Sequence, residues 1–166
     1  MSLFKFASIQ AITFAKNNPR VKCATDVKNG YVFTIDDNGS NYKEEAVAFA
    51  DAAGAKAGDA YVAMNIIETP ELWRLSEHKI AAGEFIRAIK LDDLVGFPVE
   101  LSSDLVTTAY ADVAVGDVVV PSNSTDDAAA PLVWKKAVAT GYTVGIEILE
   151  KTTFGGTGFY GKIVKN

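Results

Sequence analysis

Cysteine, histidine and long apolar runs are scarce in this sequence, and its basic side chains are outnumbered by acidic ones. A single cysteine, Cys23, in 166 residues excludes an internal disulfide, so core packing and hydrogen bonds must hold the fold. Within Val21-Lys22-Cys23-Ala24 it is expected to be a buried small hydrophobe on a strand. One histidine, His78, beside one cysteine cannot supply the four ligands of a structural zinc site. His78 lies in Ser76-Glu77-His78-Lys79, yet neighbours in sequence point in different directions, whereas a catalytic triad is assembled from groups distant in sequence. No catalytic residue, metal ligand or cofactor-binding residue is assigned, and a non-enzymatic protein without cofactor is expected. No apolar run is long enough to span a bilayer. Met1 to Gln10 lacks the long apolar region and the cleavage site of a signal peptide, so synthesis in the cytoplasm, with no membrane partner, is expected.

Sixteen Lys and Arg against 21 Asp and Glu leave a formal charge of -5, which argues against a nucleic-acid partner, since phosphate binding needs clustered cations. Lys135-Lys136 is one pair, and Lys16, Arg20 and Lys22 are sparse. Asp36-Asp37-Asn38-Gly39-Ser40-Asn41 is rich in oxygen ligands. It lacks the sixth-position glycine and twelfth-position glutamate of an EF-hand loop, and a hairpin turn is expected instead. Phe154-Gly155-Gly156-Thr157-Gly158 has no following P-loop lysine and no helix for a phosphate to cap, and reads as a hairpin loop.

What the sequence has is apolar content, 49% against 22% charged residues, enough for one ordered globular unit at this length. The chain turns on two apolar runs, Ala81–Leu91 and Phe97–Leu101, flanking an acidic turn, Asp92-Asp93-Leu94-Val95-Gly96. In the first run Phe85, Ile89 and Leu91 share a parity with Arg87, so a strand with that face on a core, and a hairpin with the second run, are predicted. Asn29-Gly30 leads into an alternating strand ending at Ile35, and Tyr61–Ile67 reads as a buried strand. Thr69-Pro70 resembles the start of a short helix. Gly116-Asp117 opens a strand that Pro121 stops, and three more strands, Leu132–Ala137, Thr143–Lys151 and Phe159–Val164, complete the chain. Many short strands separated by Gly and Pro turns predict a mainly β fold, an antiparallel barrel or sandwich with at most short helices.

Ahead of Asn17-Asn18-Pro19, which ends the segment, the apolar residues follow neither helical nor strand period. Residues 1–20 are accordingly an N-terminal arm, and 21–166 a single β-rich domain. The arm has two readings. Leu3, Phe4, Phe6, Ile9, Ile12 and Phe14 dock on another subunit, or the arm folds back as an edge strand or short helix of its own domain.

Ala24-Thr25-Asp26-Val27-Lys28-Asn29-Gly30-Tyr31-Val32, Ala82–Leu91, Val115-Gly116-Asp117-Val118-Val119-Val120-Pro121 and Val144–Lys151, in that order, resemble the capsid decoration, or head auxiliary, proteins of tailed bacteriophages. The resemblance spans most of the chain after the arm. It implies a β-rich protein on the outer surface of a virion capsid, made in the host cytoplasm, often a homotrimer, that binds the major capsid protein and reinforces the shell without catalysis. Two alternatives remain open. One is a phage fibre or tail component. The other is a small carbohydrate-binding module using Trp73, Trp134 and the tyrosines as a stacking platform, although two tryptophans distant in sequence suit a core as well.

Overall fold

The computed structural model describes residues 4–6, 20–23, 25–36, 45–47, 60–65, 79–121, 133–137 and 143–166. Eleven strands make the architecture mainly β: β1 Phe4–Phe6, β2 Arg20–Cys23, β3 Val32–Asp36, β4 Glu45–Val47, β5 Tyr61–Ala63, β6 Phe85–Lys90, β7 Pro98–Ser102, β8 Val118–Pro121, β9 Trp134–Lys136, β10 Val144–Thr152 and β11 Gly158–Lys165. The helical segments among the described residues are at most four residues long. Six strands form one sheet in the order β1-β7-β11-β10-β8-β9, and the other five close into a barrel, β2-β4-β3-β5-β6. Barrel and sheet are both present, and every pairing is antiparallel except that of β2 with β4.

A five-stranded barrel has little interior to fill. The cluster confined to barrel residues accordingly mixes small side chains, Cys23, Ala63 and Ala88, with Val21, Val27, Ile80, Ile86 and one large ring, Phe33. Along β3, β5 and β6 the alternate residues Val32, Val62 and Ile89 belong instead to a larger cluster with Val99, Leu101, Val119, Trp134, Ile146, Ile148, Phe159 and Ile163 of the sheet. These strands therefore contribute to both clusters, and the larger core is the joint between barrel and sheet. Across it the Trp134 indole Nε1–H donates to the Gly30 carbonyl at 3.0 Å.

The predicted hairpin around Asp92-Asp93 is not formed. β6 pairs with β2 and β5 in the barrel, whereas β7 pairs with β1 and β11 in the sheet. The turn Leu91–Leu94 buries both its leucines and passes the chain from one unit to the other. The predicted inward face of β6 is corrected for the same reason. Ile86 and Ala88 fill the barrel, Ile89 and Leu91 enter the joint, and Phe85 is left 46% exposed. One parity cannot describe a strand whose two faces meet two different cores.

Elsewhere local chemistry places the elements as expected. Gly30 takes φ +92 in a turn closed by the Tyr31 N–H on the Lys28 carbonyl at 3.2 Å, and β3 follows. β3 and β4 pair with Asp36 opposite Glu45; residues 37–41 of the predicted turn lie outside the described residues, as does the predicted helix start at 69–73. β5 ends earlier than its apolar run, because the Asn65 side chain replaces the ladder. Its Oδ1 accepts the Arg87 N–H at 2.6 Å, while Asn65 and Asn29 exchange two bonds at 2.8 and 2.9 Å. β10 and β11 form a long hairpin around the predicted hairpin loop, whose first residues take a single helical turn, Thr153–Gly156.

Candidate interaction surface

The two edges of the six-stranded sheet are built differently. At β9 the edge is covered: Val106 bridges to Trp134, the Thr107 N–H donates to the Trp134 carbonyl at 2.7 Å, and the Lys136 N–H donates to Thr108 Oγ1 at 3.0 Å. At the other end the sheet stops on β1, which pairs with β7 on one side and with no described strand on the other. The first strand of the arm is thus an edge strand of the chain's own sheet, with Phe4 opposite Leu101, Lys5 opposite Glu100 and Phe6 opposite Val99. Of the six arm residues, Phe4 and Phe6 are brought together on β1; Leu3, Ile9, Ile12 and Phe14 lie outside the described residues.

A second surface feature was not anticipated. Among the described residues, four large apolar side chains are exposed: Phe85, Val95, Val115 and Leu149. Between Ile148 and Glu150 the β10–β11 register shifts, leaving Leu149 as the extra residue of a β-bulge, a device that re-aims a side chain. The Gly116 N–H donates to the Ile148 carbonyl and the Ile148 N–H to the Asp117 carbonyl, both at 2.8 Å, which ties the turn that carries Val115 to β10. Gly116 takes φ +91 because Ala114–Asp117 is a tight turn whose third position requires the left-handed region.

Asp117 closes that turn. Its Oδ2 accepts the Ala114 N–H at 2.6 Å and the Lys136 ammonium at 2.7 Å. The hydrogen bond from Lys136, then that from Ala114, holds its carboxyl below the ordinary carboxylate value. A depressed folded-state pKa contributes stability above the unfolded value, lost as pH falls through the folded one. Lys136 also donates to the Asp112 carbonyl at 3.1 Å, so this lysine of the basic pair serves as a clamp on 112–117. Lys151 is a second clamp, donating to the carbonyls of Tyr110 and Val113 at 2.8 and 2.7 Å while lying over the Tyr110 ring.

The remaining candidates resolve as follows. His78 and Trp73 lie outside the described residues. Trp134 is fully buried with its N–H bonded to Gly30, so it cannot serve as half of a sugar-stacking platform. Cys23 is on β2 and 2% exposed, a structural thiol as expected. Burial first, then the negative charges of Asp26 and Glu84, push it up to about 11. An unfolded thiol ionises near its ordinary value, so raising the pH between the two values favours unfolding, and the full contribution of Cys23 is present only below that ordinary value. We expect the folded protein to resist thiol-specific alkylation at pH 8 and to be labelled rapidly in denaturing urea; rapid native labelling would contradict this burial.

Among the described residues no helix is long and apolar enough to cross a membrane. No family model, curated protein or solved structure matches the chain.

Proposed function

We propose that this chain is a non-enzymatic structural protein of a tailed-bacteriophage virion that binds the major capsid protein on the outer surface of the shell, decorating or reinforcing it. It would do so as a homo-oligomer, with a trimer favoured, after synthesis in the host cytoplasm. The order of elements that resembles head auxiliary proteins motivates the reading. The observation that carries it is the contrast between the sheet edges: β9 is covered by 106–108, while β1 ends the sheet without a described partner. Proteins commonly blunt or cover strand edges, because an open one pairs with another chain. Among the described residues the unpaired edge is Phe4-Lys5-Phe6, the most aromatic part of the arm. Each large apolar side chain buried there against a partner is worth roughly 1.5–3 kcal/mol, and repetition around a symmetric shell multiplies modest contacts into avidity.

The test is co-sedimentation with expanded, DNA-free phage heads. The protein is expected to pellet with heads and to saturate at a fixed ratio to the major capsid protein. Remaining in the supernatant overturns the proposal, and pelleting with purified tails alone transfers the chain to the fibre or tail class.

A further inference from the structure

The turn that feeds β3 contains Asn29-Gly30, a dipeptide prone to lose its side-chain amide without any enzyme. In that reaction a solvent base removes the proton of the Gly30 backbone N–H, and the nitrogen bonds to Asn29 Cγ. The Cγ–Nδ2 bond breaks, and the departing nitrogen takes up a proton and leaves as ammonia. Water then opens the five-membered imide at either carbonyl, giving aspartate or, with one extra carbon in the backbone, isoaspartate. Glycine favours the step because no Cβ crowds the attacking nitrogen. The fold holds both reacting groups. The Gly30 N–H, whose proton must leave, donates to the Ala63 carbonyl at 2.9 Å. The amide to be attacked is clasped by main chain: Asn29 Nδ2 donates to the Asn65 carbonyl at 2.9 Å, and Asn29 Oδ1 accepts the Asn65 N–H at 2.8 Å.

All three bonds run to one short segment, residues 63–65 at the end of β5. That segment is itself placed by β6, since Asn65 Oδ1 accepts the Arg87 N–H at 2.6 Å and the Met64 N–H donates to the Arg87 carbonyl at 3.0 Å. Release of 63–65 from β6 thus frees the nucleophile and the amide together, and none of these bonds involves the six-stranded sheet. The Trp134 bond to the Gly30 carbonyl touches neither reacting atom. The change is also one-way. A carboxylate at position 29 has no N–H to give to the Asn65 carbonyl, and isoaspartate lengthens the chain in a turn where Gly30 takes φ +92, so a modified chain cannot remake the clasp.

We propose that Asn29 is a spontaneous deamidation site that residues 63–65 hold closed and that opens by local release of this segment from β6. The inference is independent of the capsid reading. Full-length protein is incubated at pH 8 in buffer and in denaturing urea, and Asn29 is followed by peptide mapping that separates asparagine, aspartate and isoaspartate. Asn38-Gly39, the same dipeptide, calibrates the urea arm, where the two sites should react at similar rates. In buffer, loss at Asn29 is expected to be at least about tenfold slower than in urea, because an unfavourable opening precedes each reaction. Equal rates with and without urea overturn the proposal. Asn65→Ala removes the bond to Arg87 and leaves the main-chain clasp available; it should speed the loss in buffer by roughly 3- to 10-fold, the effect of one hydrogen bond on the opening equilibrium. Gly161→Ala, a substitution in the sheet, should leave the Asn29 rate in buffer unchanged. A Gly161→Ala rate that matches or exceeds that of Asn65→Ala assigns release to global unfolding and overturns the local gate, as does an unchanged rate in Asn65→Ala. Where either variant does not fold, Asn65→Ser or Gly145→Ala is read in its place.

Discussion

Trp134→Ala is expected to remove about 3–5 kcal/mol of stability, the range for truncating a fully buried aromatic. That is a large share of the roughly 5–15 kcal/mol that holds a domain of ordinary stability together. Trp134 is fully buried in the cluster that joins β3, β5 and β6 of the barrel to the sheet, and its indole N–H meets the buried Gly30 carbonyl. Truncation therefore opens a cavity and orphans an acceptor in the turn that feeds β3. Trp134→Phe separates these effects: most of the volume stays, and the loss is about 1–3 kcal/mol for an unsatisfied buried carbonyl. Urea denaturation is the measurement. The midpoint should fall in the order wild type, Phe, Ala, with an unchanged slope if the transition remains two-state. A loss below about 1 kcal/mol for the alanine variant, less than a single buried hydrogen bond typically contributes, would remove Trp134 from the joint.

The same joint explains what was legible in the sequence. Local signals worked where local chemistry decides: Asn29-Gly30 before β3, Gly116-Asp117 before β8, the alternation of Ile146 and Ile148 against Glu147, and Cys23 as a buried thiol. They failed where partner choice decides. Nothing in Ala81–Leu101 indicates that β6 and β7 belong to different units, because an apolar strand pairs wherever its neighbours stand. Its alternation misleads because Ile86 and Ala88 fill the barrel, while on the opposite parity Ile89 enters the joint and Phe85 is exposed. The parallel pairing of β2 with β4 is a long-range choice of the same kind. The alternation that buries Ile146 and Ile148 sets Leu149 on the outer face with Glu147, where it is exposed, but nothing local announces the register shift beside it. Of the arm, β1 pairs in the chain's own sheet, one of the two readings that the aperiodic Leu3–Ala15 stretch left open.

Gly161→Ala should be the most damaging single-methyl addition among the described glycines, because a Cβ there has no room rather than the wrong backbone angle. It would lie 2.5 Å from the Glu147 carbonyl oxygen and 2.6 Å from Ile146 Cγ2. Both atoms belong to β10, which is held between β11 and β8, so neither a side-chain rotation nor an outward shift of one edge strand relieves the contact. Overpacking of a close-packed site costs about 1–3 kcal/mol and occasionally more, and a backbone clash in a central strand belongs at the upper end. Gly145→Ala, whose Cβ meets Val118 Cγ1 at 2.7 Å and the Val119 carbonyl at 2.9 Å, should follow. Gly116→Ala faces open space at φ +91 and loses only the backbone preference, about 1 kcal/mol. Urea midpoints in the order Gly116→Ala, Gly145→Ala, Gly161→Ala from mildest to most severe are the expected result; a neutral Gly161→Ala would contradict the β10–β11 register.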